Sequence, residues 1–145
     1  MSSTTRIAYS VDIARKPEAV WQVFTHWQYL LGDQVFRDFR WLEGEPWQAG
    51  SRMEVDMVMP FPFSIQRVIT AVEAPHKVTW INHAQGITAV QWTTFEERPE
   101  GTHVQTWAEY TAQSFPVLQR SLEEIIHEMI RHSLDSLKRA CEAGA

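Results

Sequence analysis

Four polar residues set among apolar neighbours, Arg67, Asn82, Gln91 and Tyr110, are the side chains of this sequence best suited to chemistry. A phenol, a guanidinium and two amides projecting into an apolar interior could move a proton or hold an enolate oxygen. No spacing among them demands catalysis. Tyr110 reads equally well as a core tyrosine with a satisfied hydroxyl, and Arg67 shares a strand face with Ile65 and Ile69 that the sequence leaves open as inner or outer. Other chemistries have less support. His127 and His132 lie five apart, which misses the four-residue spacing that puts two metal ligands on one helix face, and there is no H-E-x-x-H. No G-x-S-x-G, G-x-G-x-x-G or G-x-x-x-x-G-K-[ST] occurs, so neither an activated serine nor a nucleotide cofactor is expected, and no metal or other cofactor is implied. The single cysteine, Cys141, excludes an internal disulfide and reads as a surface or half-buried thiol near the end of a helix rather than a nucleophile.

The elements that would position these groups follow from periodicity. Arg6 to Ile13 alternates Ile7, Tyr9, Val11 and Ile13 against Ser10 and Asp12, a first strand. Pro17 to Phe24 follows as a short helix, with proline suited to the first turn, Glu18 near the positive end, and Val20, Trp21 and Phe24 on one face. Thr25 can cap a second short helix carrying Trp27, Leu30 and Leu31 and stopping at Gly32. Strands are then expected at about Phe39 to Leu42, Arg52 to Met59, Ser64 to Ala74, Lys77 to His83, Gly86 to Glu97 and Thr102 to Ala112. Their short connections, "EGEPWQAG", "PFP", "APHK", "HAQG" and "RPEG", require an antiparallel meander. If "RPEG" turns so that Phe95 faces Val104, Trp92 faces Trp107 and Ala89 faces Tyr110; a slip of one residue would exchange the faces. Leu118, Leu122, Ile125, Ile126, Met129, Ile130, Leu134 and Leu137 recur at helical spacing, so a long amphipathic helix closes the chain.

Residues 1–145 are expected to form one domain, since 145 residues suffice for a core and no linker or repeat is visible. With 13 basic against 18 acidic residues, a net charge of -5 and no basic cluster, a nucleic-acid partner is not expected. No run of about 18 apolar residues suggests a membrane span and no signal peptide is visible, so a cytoplasmic protein is expected.

The order of one strand, two short helices, a six-strand meander and a long helix resembles the helix-grip fold of the START / Bet v 1-like (SRPBCC) superfamily. Within it the sequence is most similar to the bacterial polyketide cyclase/dehydrase and lipid-transport group. The residues that carry the resemblance are "IARKPEAVW" (13–21), "GSRM" (50–53), "VEAPHKVTW" (72–80) and "GTHV" (101–104). It implies an α+β fold in which a curved antiparallel sheet of about seven strands wraps the C-terminal helix around an internal cavity. On that implication Met53, Val55, Met57 and Met59 line the inner wall, and Phe61 and Phe63 sit on a loop near an entrance. Trp80, Gln91, Tyr110, Leu122, Ile126, Met129 and Ile130 complete the lining. Methionine suits a wall that adapts to varied apolar shapes, although core filling would use the same residues. The resemblance implies binding of a small hydrophobic, aromatic or polyketide-like ligand. One alternative is an aromatase/cyclase or dehydratase using Tyr110 and Arg67, without metal or nucleotide. A second is an interaction module of co-chaperone type presenting Trp92 and Trp107. A homodimer is the base-rate expectation for assembly.

Overall fold

The computed structural model describes residues 3–26, 30–31, 35–58, 62–84, 87–112 and 116–143, with side chains for all of these except 3–4, 111–112 and 116–122. The elements run β1 (Ser3–Ile13), α1 (Pro17–Phe24), β2 (Phe36–Glu43), β3 (Arg52–Met57), β4 (Phe63–Glu73), β5 (Lys77–Ala84), β6 (Ile87–Arg98), β7 (Gly101–Ala112) and α2 (Pro116–Ala143). All seven strands form one antiparallel sheet in the order β1-β7-β6-β5-β4-β3-β2. Each tight turn joins neighbours, and β1 returns to pair with β7. Of the expected second short helix, capped at Thr25 and stopping at Gly32, residues 27–29 and 32 lie outside the described residues.

Strand boundaries differ from the sequence reading by one to three residues: β1 begins at Ser3 rather than Arg6, and β4 to β7 each shift by one residue at one end or both. β2 begins at Phe36, three residues early, because Phe36 pairs with Met57 across an irregularity that the local pattern "VFRDF" conceals. β3 stops at Met57, where the Val58 N–H leaves the ladder and donates to the Val35 carbonyl at 2.8 Å. The β6–β7 register is as expected: Phe95 faces Val104, Trp92 faces Trp107 and Ala89 faces Tyr110.

Pairing partners align into rows across the inner face. Thr5, Tyr110, Ala89, Asn82, Arg67, Met53 and Trp41 form one such row from β1 to β2. Beside it run Ile7, Ala108, Gln91, Trp80 and Ile69. Since side chains alternate, fixing one register fixes the whole face. That face is the buried one: Met53, Val55, Met57, Ile65, Arg67, Ile69 and Trp80 are all shielded. Trp92 and Trp107 therefore stack on the outer face, 6.2 Å between centroids, with the Arg6 guanidinium 5.3 Å from the Trp92 ring.

Against the inner face α2 presents Ile130, Leu134, Leu137 and Cys141, buried residues spaced by four, three and four. Tyr9 of β1 fixes its rotation by donating to Asp135 at 2.8 Å. The far end of the helix is tied to the exit of β1. Arg15 donates to the Cys141 carbonyl, Lys138 to the Asp12 carbonyl, and the Ala14 N–H to Glu142.

Three carboxylates, Asp56, Glu128 and Glu142, are held ionised by their partners. Hydrogen bonds from Arg40, then Ser64, keep Asp56 below its ordinary range, and Arg131 does the same for Glu128. The Ala14 N–H, then Lys138, depress Glu142. A carboxylate depressed in the folded state contributes stability that is complete above its unfolded pKa and is lost as pH falls through the folded value. Thermal melts should therefore be level above about pH 5 and decline progressively below about pH 4. A melting temperature unchanged down to about pH 2.5 would contradict this assignment.

Candidate functional site

Three strands place a polar row inside the sheet. Arg67 of β4 is only 9% exposed and donates through Nε to Asn82 Oδ1 of β5 at 3.0 Å. Asn82 in turn donates through Nδ2 to Gln91 Oε1 of β6 at 3.1 Å. The guanidinium also lies 4.3 Å from the centroid of the Trp80 ring, a cation–π contact strengthened by exclusion of water. One strand further, the Thr93 and Thr106 hydroxyls bond each other at 2.8 Å.

Aromatic rings enclose this row on the side of α1. Phe24, from the last turn of α1, lies 5.1 Å from Trp47 and 6.2 Å from Trp80. Trp47 arrives from the β2–β3 turn, and its indole N–H donates to the Thr25 carbonyl at 2.8 Å. Between the rings and the polar row lies a cavity of about 40 Å³, bordered by Phe24, Trp47, Met53, Arg67, Trp80 and Gln91, with Leu30, Phe36, Phe39, Thr93, Thr106, Ser133 and Leu134. A space of that size admits a few waters, whereas pockets for drug-sized molecules run to about 300–1,000 Å³. Ligand entry therefore requires that a wall move. Among the described residues the Trp80 Nε1–H has no hydrogen-bond partner although it is buried, so the site carries a donor able to reward an incoming acceptor.

Tyr110 stands in the same row as Arg67, three strand spacings and about 14 Å away. It does not border the cavity. Burial raises its pKa, with Thr5 across the strand pair opposing the shift, yet among the described residues no bond of normal geometry reaches its hydroxyl. The two candidate catalytic groups are thus not brought together around one point.

Of the expected lining residues, Met53, Trp80 and Gln91 border the cavity. Val55 and Met57 face inward but are packed in a second cluster with Val35, Phe36, Phe39 and Ile65. Phe63 is the first residue of β4, paired with Met57, rather than part of a loop, because the strand begins one residue earlier than expected. Ile130 is core, while Ile126 and Met129 pack at the edges of the two clusters; one helical turn further on, Ser133 and Leu134 reach the cavity instead. Met59 and Phe61, and the Leu122 side chain, lie outside the described residues. Trp47 was concealed within turn material, and Thr93 with Thr106 was already implied by the register of the last hairpin.

Cys141 is fully buried, not half-exposed, because it continues the inward stripe of α2. Burial pushes its thiol up to about 11. It should resist thiol reagents in the folded protein and react only on unfolding; rapid native labelling would refute that placement.

A seven-stranded curved sheet around a long C-terminal helix, with α1 and an aromatic cage closing a small inner cavity, defines a Bet v 1-like helix-grip protein. The family model described as "Polyketide cyclase / dehydrase and lipid transport" matches residues 4–142, and the chain belongs to that family. No curated protein matches it significantly. Similar solved structures include Ara h 8.0201, with a TM-score of 0.79 at 9% identity over 97% of this chain and 99% of that one. A norcoclaurine synthase point mutant from Thalictrum flavum gives 0.74 at 16% identity over 99% and 98%. Protein Ms6760 from Mycobacterium smegmatis gives 0.74 at 17% over 93% and 89%. At these identities the likeness is one of fold. No helix among the described residues is long and apolar enough to cross a membrane.

Proposed function

We propose that this protein binds a small, largely apolar molecule with a flat aromatic part in the cavity between the sheet and α2. The observation that carries this reading is the buried Arg67–Asn82–Gln91 row facing an aromatic cage across unfilled space. A core evolved only for packing gains little from a buried guanidinium, since an apolar residue of similar volume is often as stable. Family membership supports the same ligand class. A net charge of -5 with no basic cluster, and a single, buried Cys141, accord with a cytoplasmic binding protein. Tryptophan emission titrated with hydrophobic probes, flat polyphenols, quinones and fatty acids tests the reading. Saturable quenching by one chemical class is expected, and no response across the panel would defeat it.

An enzymatic reading rests on Tyr110, whose hydroxyl is buried with no hydrogen-bond partner among the described residues, in the row that also holds Arg67. Tyr110→Phe removes an unsatisfied buried group, so it should fold as well as the parent or about 1 kcal/mol better. Binding alone predicts unchanged ligand affinity in that variant. Turnover of a polyketide-like chain lost in Tyr110→Phe, with affinity intact, would instead make the protein a cyclase or dehydratase.

A further inference from the structure

The β2–β3 turn carries a constraint that packing alone does not require. Trp47 adopts φ 59, the left-handed region that bulky residues enter only when surroundings impose it. The base of the turn is closed independently: Ser51 Oγ donates to the Glu45 carbonyl, the Ser51 N–H to Gln48 at 3.0 Å, and the Gly50 N–H to Ile69 at 2.7 Å. At the tip, the strained residue sends its indole inward. There it meets Phe24 at 5.1 Å, Trp41 at 5.5 Å edge-on and Trp80 at 6.3 Å, while part of the side chain stays at the surface.

A flat bicyclic ring, held by aromatic contacts and by one N–H donated to the Thr25 carbonyl, therefore already occupies the mouth of a cavity too small for a ligand. Building on the binding function proposed above, we infer that Trp47 is a displaceable plug standing in for the ligand. The ligand is then a flat aromatic of at least indole size that carries a ring N–H or phenolic O–H. It takes the place of the indole against Phe24 and Trp80 and donates to Thr25, and its far edge reaches Arg67 and the Trp80 Nε1–H. Swinging Trp47 outward removes the inward contacts that accompany φ 59 and joins the volume of an indole to the existing void.

Indole itself is the probe. Trp47→Gly empties the cage and places at φ 59 the one residue that accepts it freely. Calorimetric titration should show indole binding Trp47→Gly at least about tenfold more tightly than the parent chain, with a raised melting temperature. 1-Methylindole, which lacks the donor, should bind the variant about tenfold more weakly than indole. Equal indole affinity in parent and variant, or no binding to the variant, overturns the plug; equal affinity for the two probes overturns the donor requirement. Should Trp47→Gly fail to fold, the parent chain decides. Added 2-naphthol must shift the Trp47 indole N–H resonance more than that of any other tryptophan. If Asn82 and Gln91 amide resonances move while Trp47 does not, the cavity binds ligand but Trp47 is no plug. If none moves with any probe, the binding function fails and this inference with it.

Discussion

Phe95→Ala is expected to destabilise the protein by about 3–5 kcal/mol, the range for truncating a fully buried phenylalanine. Phe95 is 1% exposed and meets two rings of α1 edge-on, Trp21 at 5.3 Å and Phe24 at 5.1 Å. Each such pair adds about 0.5–1.5 kcal/mol beyond area burial. The residue is thus the seat on which α1 rests against β6, so its loss frees the helix that supplies Phe24 to the cage. Phe95→Leu, which keeps most of the volume, should cost about 1.5 kcal/mol or less. Denaturant unfolding measures both, and a loss in the alanine variant no larger than in the leucine variant would mean that α1 is held elsewhere.

How much of this was legible in the sequence differs by level. The β6–β7 register could be read because a two-residue turn, Pro99–Glu100, leaves little freedom between strands of strict alternation. The α2 stripe could be read because eight apolar residues repeat without interruption; Ser133, a polar residue that borders the cavity, is not part of that repeat. The side taken by Arg67 could not be decided from "SIQRVI" alone. Its side is inner because Ile65 and Ile69, which share its strand face, are both buried. Nor does periodicity tell a wall from a core: Met53 and Met57 share one face, yet only Met53 meets the void. That distinction depends on what stands opposite. For Met53 the opposing groups include Trp47, which approaches from a turn and is tied to Thr25, 22 positions away in the chain. Contacts of this kind leave no periodic trace.

Gly101→Ala is expected to cost about 3 kcal/mol or more, although it adds a single methyl group at the end of a hairpin. Gly101 sits at φ 150, and a Cβ there would lie 2.0 Å from the Ile13 carbonyl oxygen and 3.0 Å from the Ala14 Cα. Both neighbours are backbone, so no rotamer change relieves the overlap. The neighbours cannot withdraw freely either. Thr102 Oγ1 donates to the Arg15 carbonyl at 2.6 Å, Arg15 holds the Cys141 carbonyl at 2.8 Å, and the Ala14 N–H holds Glu142 at 3.1 Å. Pushing the β6–β7 turn away from Ile13 therefore strains the joint at which β1, α1 and the end of α2 meet. The fold closes its grip at this joint, and α1 carries the cage from it. The variant should lose thermal stability and, where it still folds, its α1 amides should exchange with solvent faster than those of β4 and β5. A Gly101→Ala protein that melts within about 1 kcal/mol of the parent would show that the turn can shift without moving α1, and that the joint is not what holds the cavity closed.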